Sequence, residues 1–203
     1  MFATVSIGAT FAAEGEGLGK YAKLTLGYSR GGVDTEWDFD SYKINYAIAY
    51  SGFEIIPTFG LELPVSALEK KNLSLALEGS LGLTFGSDSD GLWESSTKVI
   101  APGVMGILNY HFDALPKLTP YAGLGFSVPI QLVNVKYKYT SYEQTGTVSK
   151  TYETDSTVVG FKINTSIGAK YAFTDKFSAL GEFGMGIIGV FSWSIRAGAV
   201  YHF

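Results

Sequence analysis

The chain has no cysteine, which excludes disulfides, thiolate metal sites and thiol nucleophiles. Histidine is nearly absent: only His111 and His202 are present, so imidazole acid–base chemistry has few places to reside. Charged residues make up 17% of the 203 positions, against ~25% in ordinary soluble domains. The 15 basic residues are outnumbered by 19 acidic ones, a balance that argues against a nucleic-acid partner. No apolar run reaches the ~18 residues of a transmembrane helix. What is abundant is apolar side chain (46%), glycine (25 residues), tyrosine (13) and phenylalanine (14). The length suits a single domain. A greasy, aromatic, glycine-rich chain without helical runs points to β-structure in lipid.

Alternation with period two, the mark of a strand with unlike faces, recurs along the chain. At the C-terminus Phe191, Trp193, Ile195, Ala197, Ala199, Tyr201 and Phe203 interleave with Ser192, Ser194, Arg196, Gly198, Val200 and His202. In 161–173 a face from Phe161 to Phe173 opposes Lys162, Asn164, Ser166, Gly168 and Lys170. In 73–85 Leu73, Leu75, Leu77, Leu81, Leu83 and Phe85 oppose Ser74, Ala76, Glu78, Ser80 and Thr84. Segments 177–188 and 53–65 split the same way, with Glu182, Glu54 and Glu62 on the polar face. Most segments exceed the ~9–11 residues with which a tilted strand crosses a bilayer.

Short connectors (66–71, 113–117, 174–176) alternate with longer polar ones (31–41, 86–97, 140–157), the pattern of short turns on one side of a membrane barrel and longer loops on the other. The connector near Ile188–Val190 is short and breaks the pattern. The longer loops are acidic, with Asp34, Glu36, Asp38 and Asp40 in the first and Asp88, Asp90 and Glu94 in the second. Eight strands are predicted: 20–30, 42–65, 72–85, 98–112, 119–139, 158–173, 176–188 and 190–203. The expected fold is an all-β, antiparallel, up-and-down transmembrane barrel occupying 14–203. Residues 1–13 read either as the tail of a secretory signal peptide or as a further strand. In the second case 42–65 must break near Ser51-Gly52 and the count becomes ten, since bacterial barrels have even strand numbers.

The greasy face could line a soluble β-core or meet lipid. The opposite face is rich in Gly, Ser, Thr and Ala rather than Lys and Glu, which suits a crowded lumen more than a solvated exterior. Parity then directs Lys23, Glu54, Glu62, Glu78, Lys162, Lys170, Glu182 and Arg196 inward, four cations and four carboxylates. Unpaired charge is costly in a partly desolvated lumen, so this balanced set is expected to be a salt-bridged plug, with Arg196 paired to Glu182 or another inward carboxylate. Gly60, Gly168 and Gly198 each precede apolar residues three and five positions on. They are expected to face inward at strand ends on one side, with an aromatic girdle outside.

The last eight residues, Arg196-Ala-Gly198-Ala-Val-Tyr201-His-Phe203, resemble the outer-membrane β-signal: a polar residue, a glycine and two apolar positions, ending in an aromatic. Arg196, Gly198, Tyr201 and Phe203 match those positions. Over about 20–203 the chain resembles the small outer-membrane β-barrel superfamily (OmpA transmembrane domain, OmpX and OmpW types). The resemblance implies recognition by the barrel-assembly machinery, outer-membrane lipid as surroundings, external loops and a periplasmic C-terminus.

Some barrels of that superfamily are enzymes with external His, Ser or Asp clusters. Here both histidines lie in Tyr-His-Phe at the opposite rim, and no Gly-x-Ser-x-Gly, His-Glu-x-x-His or phosphate-loop motif is present. The acidic loop lacks calcium-loop spacing. The expectation is a non-enzymatic outer-membrane protein without cofactor or metal. Its role would be structural or surface-interactive, its acidic loops facing a ligand or host partner that the sequence does not name. The alternative is a narrow channel for small or apolar solutes.

Overall fold

Alternating side chains keep the backbone extended almost throughout. The computed structural model describes residues 19–39, 42–89, 93–143, 146–188 and 191–203; residues 1–13, Asp40 and Asp90 lie outside the described residues. The strands are β1 (Lys20–Phe39), β2 (Tyr42–Leu63), β3 (Leu73–Ser89), β4 (Trp93–Tyr110), β5 (Leu118–Ser127), β6 (Ile130–Glu143), β7 (Gly146–Val159), β8 (Lys162–Ala172), β9 (Phe177–Ile188) and β10 (Ser192–His202). A short helix, α1 (Ser66–Glu69), occupies the turn after β2. No described helix is long and apolar enough to cross a membrane, which says nothing of a barrel.

Eight strands close into a ring in the order β1-β2-β3-β4-β5-β8-β9-β10, with β10 returning to β1 and every pair antiparallel. β2 runs unbroken through Ser51-Gly52 between β1 and β3, so the break required by the ten-stranded ring is absent. The other two strands stand outside the ring. β4 pairs with β5 over Gly103–Asn109 and with β6 over Trp93–Ile100, and β7 pairs with β6.

The segment 119–139, expected as one strand, is therefore divided at Val128-Pro129, and the segment following 157 at Gly160-Phe161. Proline has no N–H to give a ladder. Pro102 and Pro129 instead accept from Val128 and Gly160 N–H, each at 2.9 Å. The expected loops are also largely strand: β1 and β2 extend to Phe39 and Tyr42, β3 and β4 to Ser89 and Trp93, and most of 140–157 belongs to the β6–β7 hairpin. Polar composition suggests loop there, but residues such as Val33, Thr35, Trp37 and Phe39 still recur every second position.

Outside the ring, Leu24, Leu26, Leu77, Leu124, Ile167 and Ile195 are all exposed. Two aromatic belts bound them. At the end with short turns, Tyr110–Phe112, Tyr171–Phe173 and Tyr201–Phe203 form three edge-on pairs with centroids 4.8–5.3 Å apart. At the hairpin end, Trp193 packs on Tyr28 at 5.9 Å, Tyr28 faces Phe53, and Phe53 faces Phe85. Between Trp193 and Tyr201, β10 rises about 26 Å, or about 20 Å of height at the ~35–45° tilt usual for membrane barrels.

Candidate functional site in the lumen

The interior of an eight-stranded ring is about wide enough for side chains to fill, so charges at its middle must largely satisfy one another. Lys23, Glu54, Glu78, Lys170 and Glu182 are buried inside, and Lys162, Glu62 and Arg196 are partly buried on the same face. Lys23 pairs with Glu78 and lies 3.8 Å from Glu182. Arg196 reaches Glu182 through Nη2 at 3.1 Å, and its Nε lies 3.4 Å from Glu54 Oε1. These five groups form one chain of charge across the barrel. The Arg196–Glu182 contact follows from register, because the two residues face each other on β10 and β9.

Two tyrosines brace the chain. The Tyr21 hydroxyl donates to Glu78 Oε1 and the Tyr121 hydroxyl to Glu182 Oε2, each at 2.8 Å. Lys170 Nζ sits 5.3 Å from both ring centroids, a favourable distance over an aromatic face. Opposite Tyr21 in register is Gly60, and opposite Tyr121 is Gly168. A Cβ at either glycine would collide with the tyrosine ring, so each glycine vacates the volume the ring fills. In the closed ring β5, β8 and β9 lie half a turn from β1, β2 and β3. Tyr21–Gly60–Glu78 and Tyr121–Gly168–Glu182 are thus related by a pseudo-two-fold axis along the barrel. This accounts for two members of the glycine repeat; the third, Gly198, instead faces Thr25 on β1.

Around the tyrosines is an apolar cluster of Tyr21, Ala76, Ile107, Tyr121, Leu180 and Val200. A greasy-side-out reading misses these inward residues, and the glycines opposite the two tyrosines are the signal that could find them. A second apolar cluster of Tyr50, Val99, Val133 and Val135 lies toward the hairpin end.

The charge chain separates two vestibules. At the short-turn end a cavity of about 380 Å³ is bordered by Glu62, Asn109, His111, Lys170, Asp175 and His202. His111 Nε2 is 2.9 Å from Ser74 Oγ. At the hairpin end a cavity of about 360 Å³ lies over Glu54, Lys162 and Arg196. Gly184 and Gly186 make room for the two cations: a Cβ on the first would overlap Arg196 Nη2, and one on the second Lys162 Cε. Among the described residues no cluster of three or more His, Asp or Glu is arranged to hold a metal.

Arg196 and Gly198 face inward, while Tyr201 and Phe203 point outward into the short-turn belt. Outside the ring, Lys138 pairs with Glu94 at 3.0 Å and Lys136 with Glu153 at 3.3 Å, bracing the β6–β7 hairpin to itself and to β4.

No protein-family model matches the chain, and no curated protein matches it. Among solved structures, Neisserial surface protein A (NspA) superposes with a TM-score of 0.58 at 17% identity, covering 93% of this chain and 100% of that one. OprG from Pseudomonas aeruginosa gives a TM-score of 0.47 at 14% identity, covering 91% of this chain and 96% of that one. Ail of Yersinia pestis gives 0.45 at 14%, covering 90% and 98%. The NspA likeness establishes the fold as that of a small outer-membrane β-barrel.

Proposed function

We propose that the protein is an integral barrel of a bacterial outer membrane, with a structural or surface-interaction role and a lumen closed by its own side chains. The observation that carries this reading is the charge chain Lys23–Glu78–Glu182–Arg196–Glu54 beneath a belt of exposed apolar side chains. A selectivity filter concentrates one sign of charge at a constriction; cations and carboxylates that alternate and pair along one chain fill space and hold strands in register. The short turns and C-terminus face the periplasm and the hairpins face outward, following the usual asymmetry of such barrels. Arg196, Gly198, Tyr201 and Phe203 serve as the signal read by the assembly machinery. Contact with an external ligand or host partner falls to the hairpins β1–β2, β3–β4 and β6–β7. No catalytic constellation is assigned.

Fractionation and planar-bilayer conductance test this reading. The protein is expected in outer membranes, with heat-modifiable migration on gels and no steady single-channel current. Recovery as a soluble periplasmic protein without detergent overturns the location. Stable conductance overturns the closed lumen and favours a narrow channel joining the two vestibules.

A further inference from the structure

Two prolines stand where a closed sheet tolerates them least. Proline lacks the N–H of a ladder and is ordinarily kept to edge strands, strand starts and bulges, yet Pro57 and Pro102 lie inside the ring strands β2 and β4. Both are exposed on the outer face, and they flank Leu81 on the strand between them. β2 and β3 pair at Ile55–Leu83 and again at Thr58–Ser80 in the same register, but not at Ile56–Gly82 or Pro57–Leu81 between. On its other side Leu81 faces Pro102. There Ala101 and Pro102 fall between the stretch of β4 paired with β6 and the stretch paired with β5, where Val128 N–H donates to the Pro102 carbonyl.

The same wall segment is hollowed from both sides. Inside, Ile56, Gly82 and Ala101 border the hairpin-end cavity. A Cβ at Gly82 would meet only Ala101, at 3.5 Å. Outside, Pro57, Leu81 and Pro102 border a shallow depression of about 620 Å³ on the apolar outer surface. It also takes in Gly79, where a Cβ would meet nothing within 4 Å. Pro57 and Leu81 are four residues from the belt residues Phe53 and Phe85 on their own strands, on the side toward the short turns. Cavity and depression therefore lie back to back across one sheet, with alternate residues of three strands turned to each.

We infer that this segment is a lateral passage through which small apolar molecules move between the hairpin-end vestibule and the membrane hydrocarbon. Its boundaries are carbon on both faces, so a charged or strongly polar molecule would lose hydration there without a partner. A ladder with pairs missing opens locally at lower cost than a continuous one. The charge chain remains the floor, so the route leads sideways and needs no conductance through the barrel. The inference goes beyond the closed-barrel reading and rests on it only for the lipid at the far end.

The test uses the full chain, deuterated except for ¹³C-labelled Ile, Val and Ala methyls, in nanodiscs of deuterated phosphatidylcholine. A small fraction of the lipid has an acyl chain ending in a protonated phenyl group, which is tethered on the lipid side of the wall. Nuclear Overhauser effects are expected from the phenyl protons to the outward Val104 methyls and also to the inward Ile56 and Ala101 methyls. None is expected to Ala76, an inward methyl buried in the lower apolar cluster. Contacts at Val104 without contacts at Ile56 and Ala101 overturn the inference and leave the membrane reading intact. No contact at Val104 overturns both, and contacts spread equally to Ala76 show that no defined passage exists. The chain has no cysteine of its own, so Pro57→Cys combined with Leu81→Cys places one pair of thiols at opposing positions. Cα atoms of opposing antiparallel residues are about 4.5–5.5 Å apart, within disulfide range. Oxidation is expected to abolish the Ile56 and Ala101 contacts while keeping those at Val104, and reduction to restore them. Inward contacts that survive a complete cross-link overturn the lateral route. The comparison of methyls in the unmodified chain decides the matter even if the cysteine variant does not refold.

Discussion

Arg196 and Glu182 face each other across β10 and β9, and the guanidinium of one lies 3.1 Å from the carboxylate of the other. Both point into the barrel, where Arg196 also reaches Glu54 and Glu182 also accepts from Tyr121. Opposite charges on adjacent strands and one face are a favourable cross-strand pair. Removing one member leaves its partner buried and uncompensated, a loss of about 3–5 kcal/mol for a fully buried pair. Arg196→Ala is therefore expected to lower the unfolding temperature in detergent, with part of the loss recovered when Glu182 is also replaced by Gln. Arg196 also occupies the polar position of the terminal motif, so the measurement belongs on refolded protein, separate from assembly. An unchanged midpoint in Arg196→Ala would show that the pair contributes nothing to stability.

The pseudo-two-fold arrangement makes a paired prediction. Tyr21→Phe and Tyr121→Phe each delete one hydroxyl that donates to a buried carboxylate. The rings stay, so packing against Gly60 and Gly168 stays. Each substitution is expected to cost about 1–3 kcal/mol, and the two losses should be similar. Chemical unfolding of the two single variants compares them directly. A loss in one and none in the other would mean that the halves of the plug are not energetically equivalent.

How much of this was legible in the chain depends on which rule each residue obeys. The charged residues follow strict period-two parity, and facing is fixed once one member of a strand is placed. Glu54, Glu78, Lys170 and Glu182 are buried and Lys162 is half-buried. Tyr21, Ile107, Tyr121 and Leu180 obey the same parity but violate the chemical expectation that apolar residues face out. Their places depend on which residue stands opposite on the next strand, and alternation leaves that register open. Polar composition points to loop at 31–41 and 140–157, yet alternation continues there and the hairpins run well past the belt.

Acid should act on the β6–β7 hairpin through Glu153. Asn134 donates to Glu153 Oε1 at 2.8 Å, and Lys136 lies 3.3 Å from the same oxygen. The Asn134 hydrogen bond first, then Lys136, holds the Glu153 carboxyl below its usual range. A depressed carboxyl pKa stabilises the folded form above the ordinary glutamate value of about 4.3. That contribution is lost as pH falls through the lower, folded-state value. Carboxyl-detected NMR should therefore show Glu153 titrating below the ordinary range, and Asn134→Ala should move it upward. A Glu153 titration indistinguishable from that of an unstructured glutamate would remove the pH effect.

The last prediction separates glycines that make room from glycines that merely occur. A Cβ at Gly60 would fall within the Tyr21 ring, whereas one at Gly79 meets no atom within 4 Å. Gly60 is buried and Gly79 is exposed on the outer face, so the same substitution has opposite consequences at the two sites. Gly60→Val must displace a ring that is 0% exposed and hydrogen-bonded to Glu78. Overpacking of that kind costs about 1–3 kcal/mol, and loss of the Tyr21–Glu78 bond adds to it. Gly79→Val only adds an apolar, β-branched side chain to an apolar belt and is expected to stay within about 0.5 kcal/mol of the parent. Refolding yield and unfolding midpoint in one detergent compare the two. Tyr21→Ala should partly rescue Gly60→Val by emptying the contested volume, although it leaves Glu78 one donor short. If Gly60→Val is as well tolerated as Gly79→Val, the ring does not need the glycine, and the pseudo-two-fold account of Gly60 and Gly168 fails with it.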